Sequence, residues 1–205
     1  MVGADPVTCG HVPLTGVAEC SVRNKEFVWA VHATSTLKDH SAWLSQYARM
    51  KKLEFFFQGI PKDAAVLDVG CADGWVQQWA QPRGWSNIIG ADLVPPADVV
   101  GDIRSWRQLG LAAHSFDAII AFEVVEHGDL AAVLRDLLKP AGRLSVTTPV
   151  PHLDWACEAM EAMGLSQRRT GPHTHLVELR EYPGFRVVDR RVKGLVSQWA
   201  ILEPC

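Results

Sequence analysis

Residues 65–74 read AVLDVGCADG, and the rest of the chain is interpreted around this stretch. Its first five residues are apolar except Asp68, a composition typical of a short buried strand. A turn of small residues, 70–74, follows the strand, and a helix-like run begins at Trp75. A strand, a glycine turn and a helix N-terminus in this order form the cofactor-binding end of an open α/β sheet.

The turn does not suit a dinucleotide. The G-x-G-x-x-G pattern would need glycine at the positions that Gly70, Ala72 and Trp75 occupy, and a tryptophan cannot replace the glycine that lets helix and strand pack closely. Asp68 and Asp73 would also repel a pyrophosphate. Carboxylates at this turn instead favour a ligand that carries positive charge and many hydrogen-bond donors.

The pattern D-x-G-C-x-x-G resembles the first motif of the class I S-adenosylmethionine (SAM) methyltransferases, with Ala72 where that family usually has its middle glycine. Two further runs, FDAIIAFEVVEH at 116–127 and LLKPAGRLSVTTP at 137–149, resemble the middle section of the same family. The resemblance covers roughly residues 60–150, and the order of the motifs agrees throughout. It implies a SAM-dependent methyltransferase.

The resemblance implies a single-domain α/β fold: a Rossmann-like, doubly wound, mostly parallel seven-stranded sheet with an antiparallel C-terminal edge hairpin. We predict residues 1–37 as an irregular leader and 38–205 as the methyltransferase domain, with a substrate-side insertion at 150–184. The predicted strands are 65–69, 87–91, 97–103, 116–122, 143–149, 185–188 and 197–202.

A helix is predicted before the first strand. Asp39 is its cap and Gly59 and Pro61 end it. One face at helical spacing consists of Trp43, Tyr47, Met50, Leu53 and Phe57. Further helices are predicted from Trp75 to about residue 81, over 129–138, and over 153–163 in the insertion.

The acids that follow the predicted strands identify candidate cofactor contacts. Asp92 ends the second strand, where a carboxylate accepts hydrogen bonds from ribose hydroxyls. The resemblance implies that Asp102 and Ile103 contact the adenine. The complete predicted SAM-binding set is Asp68, Gly70, Cys71, Ala72, Gly74, Asp92, Leu93, Asp102, Ile103, Phe122 and Glu123.

The composition excludes several other classes of protein. The chain has 205 residues, 48% of them hydrophobic, and a net charge of −3, which disfavour a disordered protein and a broad nucleic-acid-binding face. We see no signal peptide and no apolar stretch that could cross a bilayer, so a cytoplasmic location is expected. Five scattered cysteines argue against a disulfide framework. Cys9, His11 and Cys20 would need a fourth ligand from elsewhere to bind zinc, so no metal ligand is assigned.

The methyl acceptor is expected to be a small molecule that is methylated on oxygen or nitrogen. The cofactor supplies the leaving group, so the protein needs a base only if the acceptor must lose a proton. Candidate bases are His127, His152, His173 and His175, and no catalytic residue is assigned among them. Arg168 and Arg169 favour an acceptor that carries a carboxylate or phosphate.

Two alternatives remain open. Small-RNA 2′-O-methyltransferases use an E-x-x-E-H sequence similar to the one at 123–127, with a downstream histidine, to hold a divalent metal; here that histidine would be His173 or His175. An RNA acceptor would find cations in Arg168–Arg169 and in Arg190, Arg191 and Lys193. The other alternative is a non-catalytic SAM-binding module.

Overall fold

The computed structural model describes residues 43–162, 173, 175–194 and 196–205. Four α-helices lie in this part of the chain: α1 (Trp43–Phe57), α2 (Trp75–Ala80), α3 (Ala131–Leu137) and α4 (Asp154–Ala162). Seven strands form one sheet: β1 (Val66–Val69), β2 (Ile88–Asp92), β3 (Val99–Val100), β4 (Phe116–Phe122), β5 (Leu138–Pro149), β6 (Phe185–Lys193) and β7 (Ser197–Pro204).

The strand order across the sheet is β3-β2-β1-β4-β5-β7-β6. The first five strands are parallel, and β7 runs antiparallel to both β5 and β6. The order reverses between β1 and β4, and a crevice at the carboxyl ends of the strands is expected at such a switch point. The predicted fold class, a mostly parallel seven-stranded sheet with an antiparallel edge hairpin, is therefore confirmed.

Helices cover both faces of the sheet, because successive side chains of each strand point to opposite sides. On one face, Val66 packs in a cluster with Leu53 and Phe57 of α1 and with residues of α2. On the other face, Leu67 packs with the buried side of α3. This two-sided burial explains why β1 and β4 read as nearly continuous apolar runs.

Several element boundaries differ from the predicted ones. The third strand is only the pair Val99–Val100, because Asp102 already caps a 3₁₀ turn at Ile103–Ser105. The fifth strand begins at Leu138, which pairs with Phe116, and a register shift separates this pair from the regular ladder that starts at Arg143. The sixth strand continues to Lys193 along its whole partner strand.

The predicted apolar face of α1 is only partly buried. Leu53 and Phe57 belong to the core, whereas Tyr47 and Met50 are exposed. Phe56, one position off the predicted face, is fully buried against Trp199. The face of α1 that packs against the sheet is therefore wider in the second half of the helix than the spacing indicates. The predicted cap Asp39 and the leader 1–37 lie outside the described residues.

Within the described part of the chain, no helix has the length and apolar character that crossing a membrane requires.

Candidate active site

The turn between β1 and α2 has the backbone shape that its small residues permit. Gly70, Ala72 and Gly74 have φ angles of +74°, +49° and +73°. A Cβ on Gly70 would lie 2.4 Å from Cγ2 of Val124, so this glycine also makes room for the segment after β4. The turn and that segment are therefore in direct contact at the carboxyl ends of neighbouring strands.

Asp92 ties the end of β2 to this turn. Its Oδ2 accepts a hydrogen bond of 2.9 Å from the backbone N–H of Ala72. The backbone N–H of Gly70 donates to the carbonyl of Ala91 next to it, at 2.8 Å. The predicted ribose acceptor thus lies beside the glycine turn, and it also holds the turn in place.

Asp68 is a buried acid below the turn. Its side chain is 2% exposed, and its Oδ2 has no hydrogen-bond partner. Burial, together with the nearby charge of Asp92, raises the pKa of Asp68 to about 7. An unpaired carboxylate oxygen at this depth is an acceptor that a donor-rich, positively charged ligand would satisfy.

The remaining predicted cofactor residues lie at the ends of β1, β2, β3 and β4. Asp102 accepts hydrogen bonds from the guanidinium and the backbone N–H of Arg104, and this contact lowers the pKa of Asp102. Ile103 is buried, whereas Leu93 is exposed, and Phe122 packs against the Trp75 ring at 5.9 Å. Cys71 is buried in the turn, and burial raises the pKa of its thiol to about 12, so the thiol is not a nucleophile here.

Glu123 follows β4 in a left-handed conformation, with φ of +55°. Its Oε1 accepts hydrogen bonds from the Thr147 hydroxyl at 2.8 Å and from Nζ of Lys52 at 3.1 Å. Lys52 belongs to α1 and its side chain is 16% exposed. Sequence reasoning missed Lys52, because nothing in the local pattern of α1 indicates a partner 71 positions away.

Glu126 lies deeper than Glu123. Its Oε2 accepts a hydrogen bond of 3.1 Å from the Thr148 hydroxyl, and its carbonyl accepts one from the backbone N–H of His175 at 2.9 Å. Burial, with a smaller contribution from the charge of Glu123, raises the pKa of Glu126 to about 8. This buried carboxyl group is therefore mostly protonated at neutral pH.

Two of the candidate histidines meet beside Glu126. The ring centroids of His127 and His173 are 5.4 Å apart, and potential ligand atoms of Glu126, His127 and His173 all lie within 4.8 Å of one another. Nδ1 of His173 is 2.7 Å from Oδ1 of Asp154, and both side chains are largely buried. This pair is a second feature that the sequence did not indicate.

The other candidates are placed differently. His152 is exposed on the 3₁₀ turn Pro151–Leu153, and the backbone N–H of His175 contacts the carbonyl of Glu126. The Arg190 side chain is largely buried and pairs with Glu178 and Gln198, whereas Arg168 and Arg169 lie outside the described residues.

The site as a whole suits SAM. The backbone at Gly70 and Gly74 leaves room for a ligand, and one carboxylate oxygen of Asp68 has no partner. Further acids lie at Asp92 and Glu123. This arrangement matches a ligand with a sulfonium, an ammonium and ribose hydroxyls. A phosphate-rich dinucleotide would meet repulsion at the same positions.

Comparison with known proteins agrees with this chemistry. Residues 41–183 match the family described as "Methyltransferase domain". The chain is 33% identical over 109 residues to ribosomal RNA large subunit methyltransferase E of Desulforapulum autotrophicum, covering 47% of this chain and 54% of that protein. The chain thus spans about half the length of this curated relative.

Solved structures share the fold. The PH0226 protein from Pyrococcus horikoshii has a TM-score of 0.60 at 18% identity, covering 82% of this chain and 94% of that chain. A SAM-dependent methyltransferase from Archaeoglobus fulgidus has a TM-score of 0.53 at 18% identity, covering 79% and 94%. The family match extends over more than half of the sequence. The chain therefore belongs to the methyltransferase domain family and has the class I fold of SAM-dependent methyltransferases.

Proposed function

We propose that this methyltransferase transfers the methyl group of SAM to an oxygen or nitrogen atom of a small-molecule acceptor. The observation that carries the proposal is the recessed pair of His173 and Asp154, whose side chains are 7% and 17% exposed. A proton acceptor at this depth is accessible to a small molecule more readily than to a folded macromolecule. The cytoplasmic location remains a prediction from the sequence.

The cofactor, when bound, supplies an activated methyl group and its own leaving group. We propose that Asp68, Asp92 and the glycine turn hold it, as their positions at the strand ends favour. The chain must then align the acceptor and exclude water. Because the Asp154 carboxylate accepts a hydrogen bond from Nδ1–H of His173, Nε2 of the same ring takes the role of base toward an acceptor O–H or N–H.

The test is methyl transfer from labelled SAM to a panel of phenols, catechols, amines and carboxylic acids. His173→Gln should lower turnover by roughly 10²-fold or more, the contribution typical of a general base, and should leave the affinity for S-adenosylhomocysteine unchanged. His152→Gln is the matched control, because that side chain is exposed. Equal turnover in the two variants would show that His173 is not the base.

A second candidate function is metal-assisted methylation of a hydroxyl group, including a hydroxyl of RNA. It is favoured by the convergence of Glu126, His127 and His173 within 4.8 Å, a carboxylate and two imidazoles that suit a divalent metal. The Asp154 contact would orient His173 in the manner typical of metal-bound histidines. Glu123 is engaged by Lys52 and Thr147 and does not belong to this set.

Chelation separates the two candidates. In the metal-assisted reaction, EDTA should abolish turnover and Mn²⁺ or Mg²⁺ should restore it, and Glu126→Gln should remove the response to metal. The Glu123→Gln variant should keep that response, because Glu123 lies outside the cluster. Turnover that EDTA leaves unchanged would reject this second candidate and leave the base mechanism.

A further inference from the structure

A cleft of about 470 Å³ lies between α1 and the β6–β7 edge of the sheet. Its lining consists of aromatic and basic side chains together with Glu54 and Gln58. The rings are those of Tyr47, Phe55 and Trp199, and the cations are those of Lys51, Arg191 and Lys193.

Each cation lies over one of the rings. The Lys51 ammonium is 5.7 Å from the centroid of Tyr47, and the Lys193 ammonium is 5.7 Å from a ring centroid of Trp199. The Arg191 guanidinium is closest to its ring, at 4.4 Å from Phe55. These contacts place the three cations beside the aromatic side chains of the cleft.

The cations remain available for an anionic ligand. Lys51 pairs with Glu54 at 2.7 Å and Arg191 with Asp189 at 2.9 Å, but the side chains of both pairs are between 36% and 51% exposed. Exposed ion pairs of this kind contribute little free energy and exchange readily for another anion. Within the described residues, no carboxylate is paired with Lys193.

The cleft is separate from the cofactor end of the sheet. The buried Phe56 ring packs between Trp199 and Phe122, with centroid distances of 5.6 Å and 5.0 Å. Trp199 forms the inner wall of the cleft, and Phe122 belongs to the predicted cofactor site. A ligand in the cleft would therefore be separated by the Phe56 ring from Phe122 of the predicted cofactor site.

We propose that this cleft binds a nucleotide, with the base against the exposed ring of Tyr47 and the phosphate against Arg191 and Lys193. Rings that stack on a base beside cations that contact its phosphate are the combination that single-stranded nucleic-acid sites use, and a free nucleotide offers the same chemistry. The inference goes beyond the proposed function, since it concerns a second site.

Isothermal titration with uridine monophosphate tests the proposal, in the presence of saturating S-adenosylhomocysteine so that the cofactor site is filled. Uridine, which lacks the phosphate, and ribose 5-phosphate, which lacks the base, are the two matched probes. Each should bind at least about 10-fold more weakly than uridine monophosphate, because each loses one of the two contacts. Pentauridylate distinguishes the two possible ligands. Affinity about 10-fold tighter than that of the monophosphate would show that the cleft binds a single-stranded nucleic acid, and equal affinity would show that it binds a free nucleotide.

Variants test which residues bind the nucleotide. Arg191→Gln combined with Lys193→Gln should weaken binding of uridine monophosphate at least about 10-fold, the effect of losing hydrogen bonds to a charged group. Tyr47→Leu, at an exposed ring, should weaken it as well. Arg186→Gln is the control, because Arg186 lies on the same strand, 68% exposed and paired with Glu203. The proposal is overturned if uridine monophosphate does not bind at millimolar concentration, if ribose 5-phosphate binds equally well, or if the double variant behaves like the control.

Discussion

At the scale of single residues, Gly70 has two separable reasons to be glycine. Its φ of +74° is a conformation that L residues rarely adopt, and its missing Cβ leaves room for Val124. Gly110 has nearly the same φ, +78°, but nothing lies within 4 Å of a Cβ there. The two glycines therefore form a matched pair in which only the contact differs.

We predict that Gly110→Ala lowers the free energy of unfolding by about 1–2 kcal/mol, the strain of a left-handed alanine. Gly70→Ala should lower it by more, since Val124 must also move, and should weaken binding of S-adenosylhomocysteine. Chemical denaturation and calorimetry measure both effects. Equal destabilisation by the two substitutions, with unchanged cofactor affinity, would mean that the space at Gly70 has no role.

Asp92 is predicted to hold the ribose, yet it already accepts a hydrogen bond from Ala72. Asp92→Ala removes both contacts and should weaken S-adenosylhomocysteine by about 1.5–3 kcal/mol. Asp92→Asn keeps a carbonyl oxygen for the Ala72 N–H but loses the charge and one acceptor, so most of this loss should persist. If the asparagine variant binds like the wild type, the acid acts only through the shape of the turn.

At the scale of elements, Gln198 of β7 connects three segments of the chain. Its amide donates to the carbonyls of Pro149 and Val177, at 3.1 and 2.9 Å, and its oxygen accepts from Leu179 N at 3.2 Å and from Arg190 at 3.0 Å. The side chain is fully buried. It thus fixes the segment that follows His175 against the end of β5.

Gln198→Leu would leave several buried polar groups without partners, each at about 1–3 kcal/mol. We predict a clear drop in melting temperature and a lower turnover at saturating SAM, because the segment that carries His173 loses its attachment. Gln108→Leu, at an exposed position, is the control. A normal melting temperature for Gln198→Leu would contradict the buried network.

The sequence predicted those elements whose patterns are local. The turn at 70–74, the positions of the strands along the chain and the acid at the end of β2 follow from apolar runs, glycines and spacing, whereas the arrangement of the sheet came from the family resemblance. Lys52 and Asp154 could not be predicted, because their roles depend on partners, Glu123 and His173, that only the tertiary structure brings close. The exposed Tyr47 was misplaced for a related reason: helical spacing indicates a face, but not what covers it.

At the scale of the whole molecule, several acidic side chains lie at the carboxyl ends of the parallel strands, which we call the rim of the sheet. Asp68 and Glu126 are buried carboxyl groups at the ends of neighbouring strands, and burial raises their pKa values to about 7 and about 8. In the unfolded chain both groups titrate near pH 4. Between these limits the folded protein holds more protons than the unfolded chain, so the stabilisation present below pH 4 is lost as the pH rises through the folded pKa values.

We therefore predict that the free energy of unfolding of the cofactor-free protein falls by up to about 6 kcal/mol between pH 5 and pH 8, with contributions from both groups. Asp102 and Asp117, whose pKa values are lowered by their cationic partners, act with the opposite sign but only near and below pH 4, so they do not mask the trend. The double variant Asp68→Asn with Glu126→Gln cannot ionise at these positions and should show a flatter profile. Urea denaturation across this pH range measures both curves, and parallel slopes for the two proteins would show that these carboxyl groups are not the origin of the pH dependence.

Because SAM is cationic and the rim gains negative charge as these groups ionise, the same loss of stability at higher pH should coincide with tighter cofactor binding.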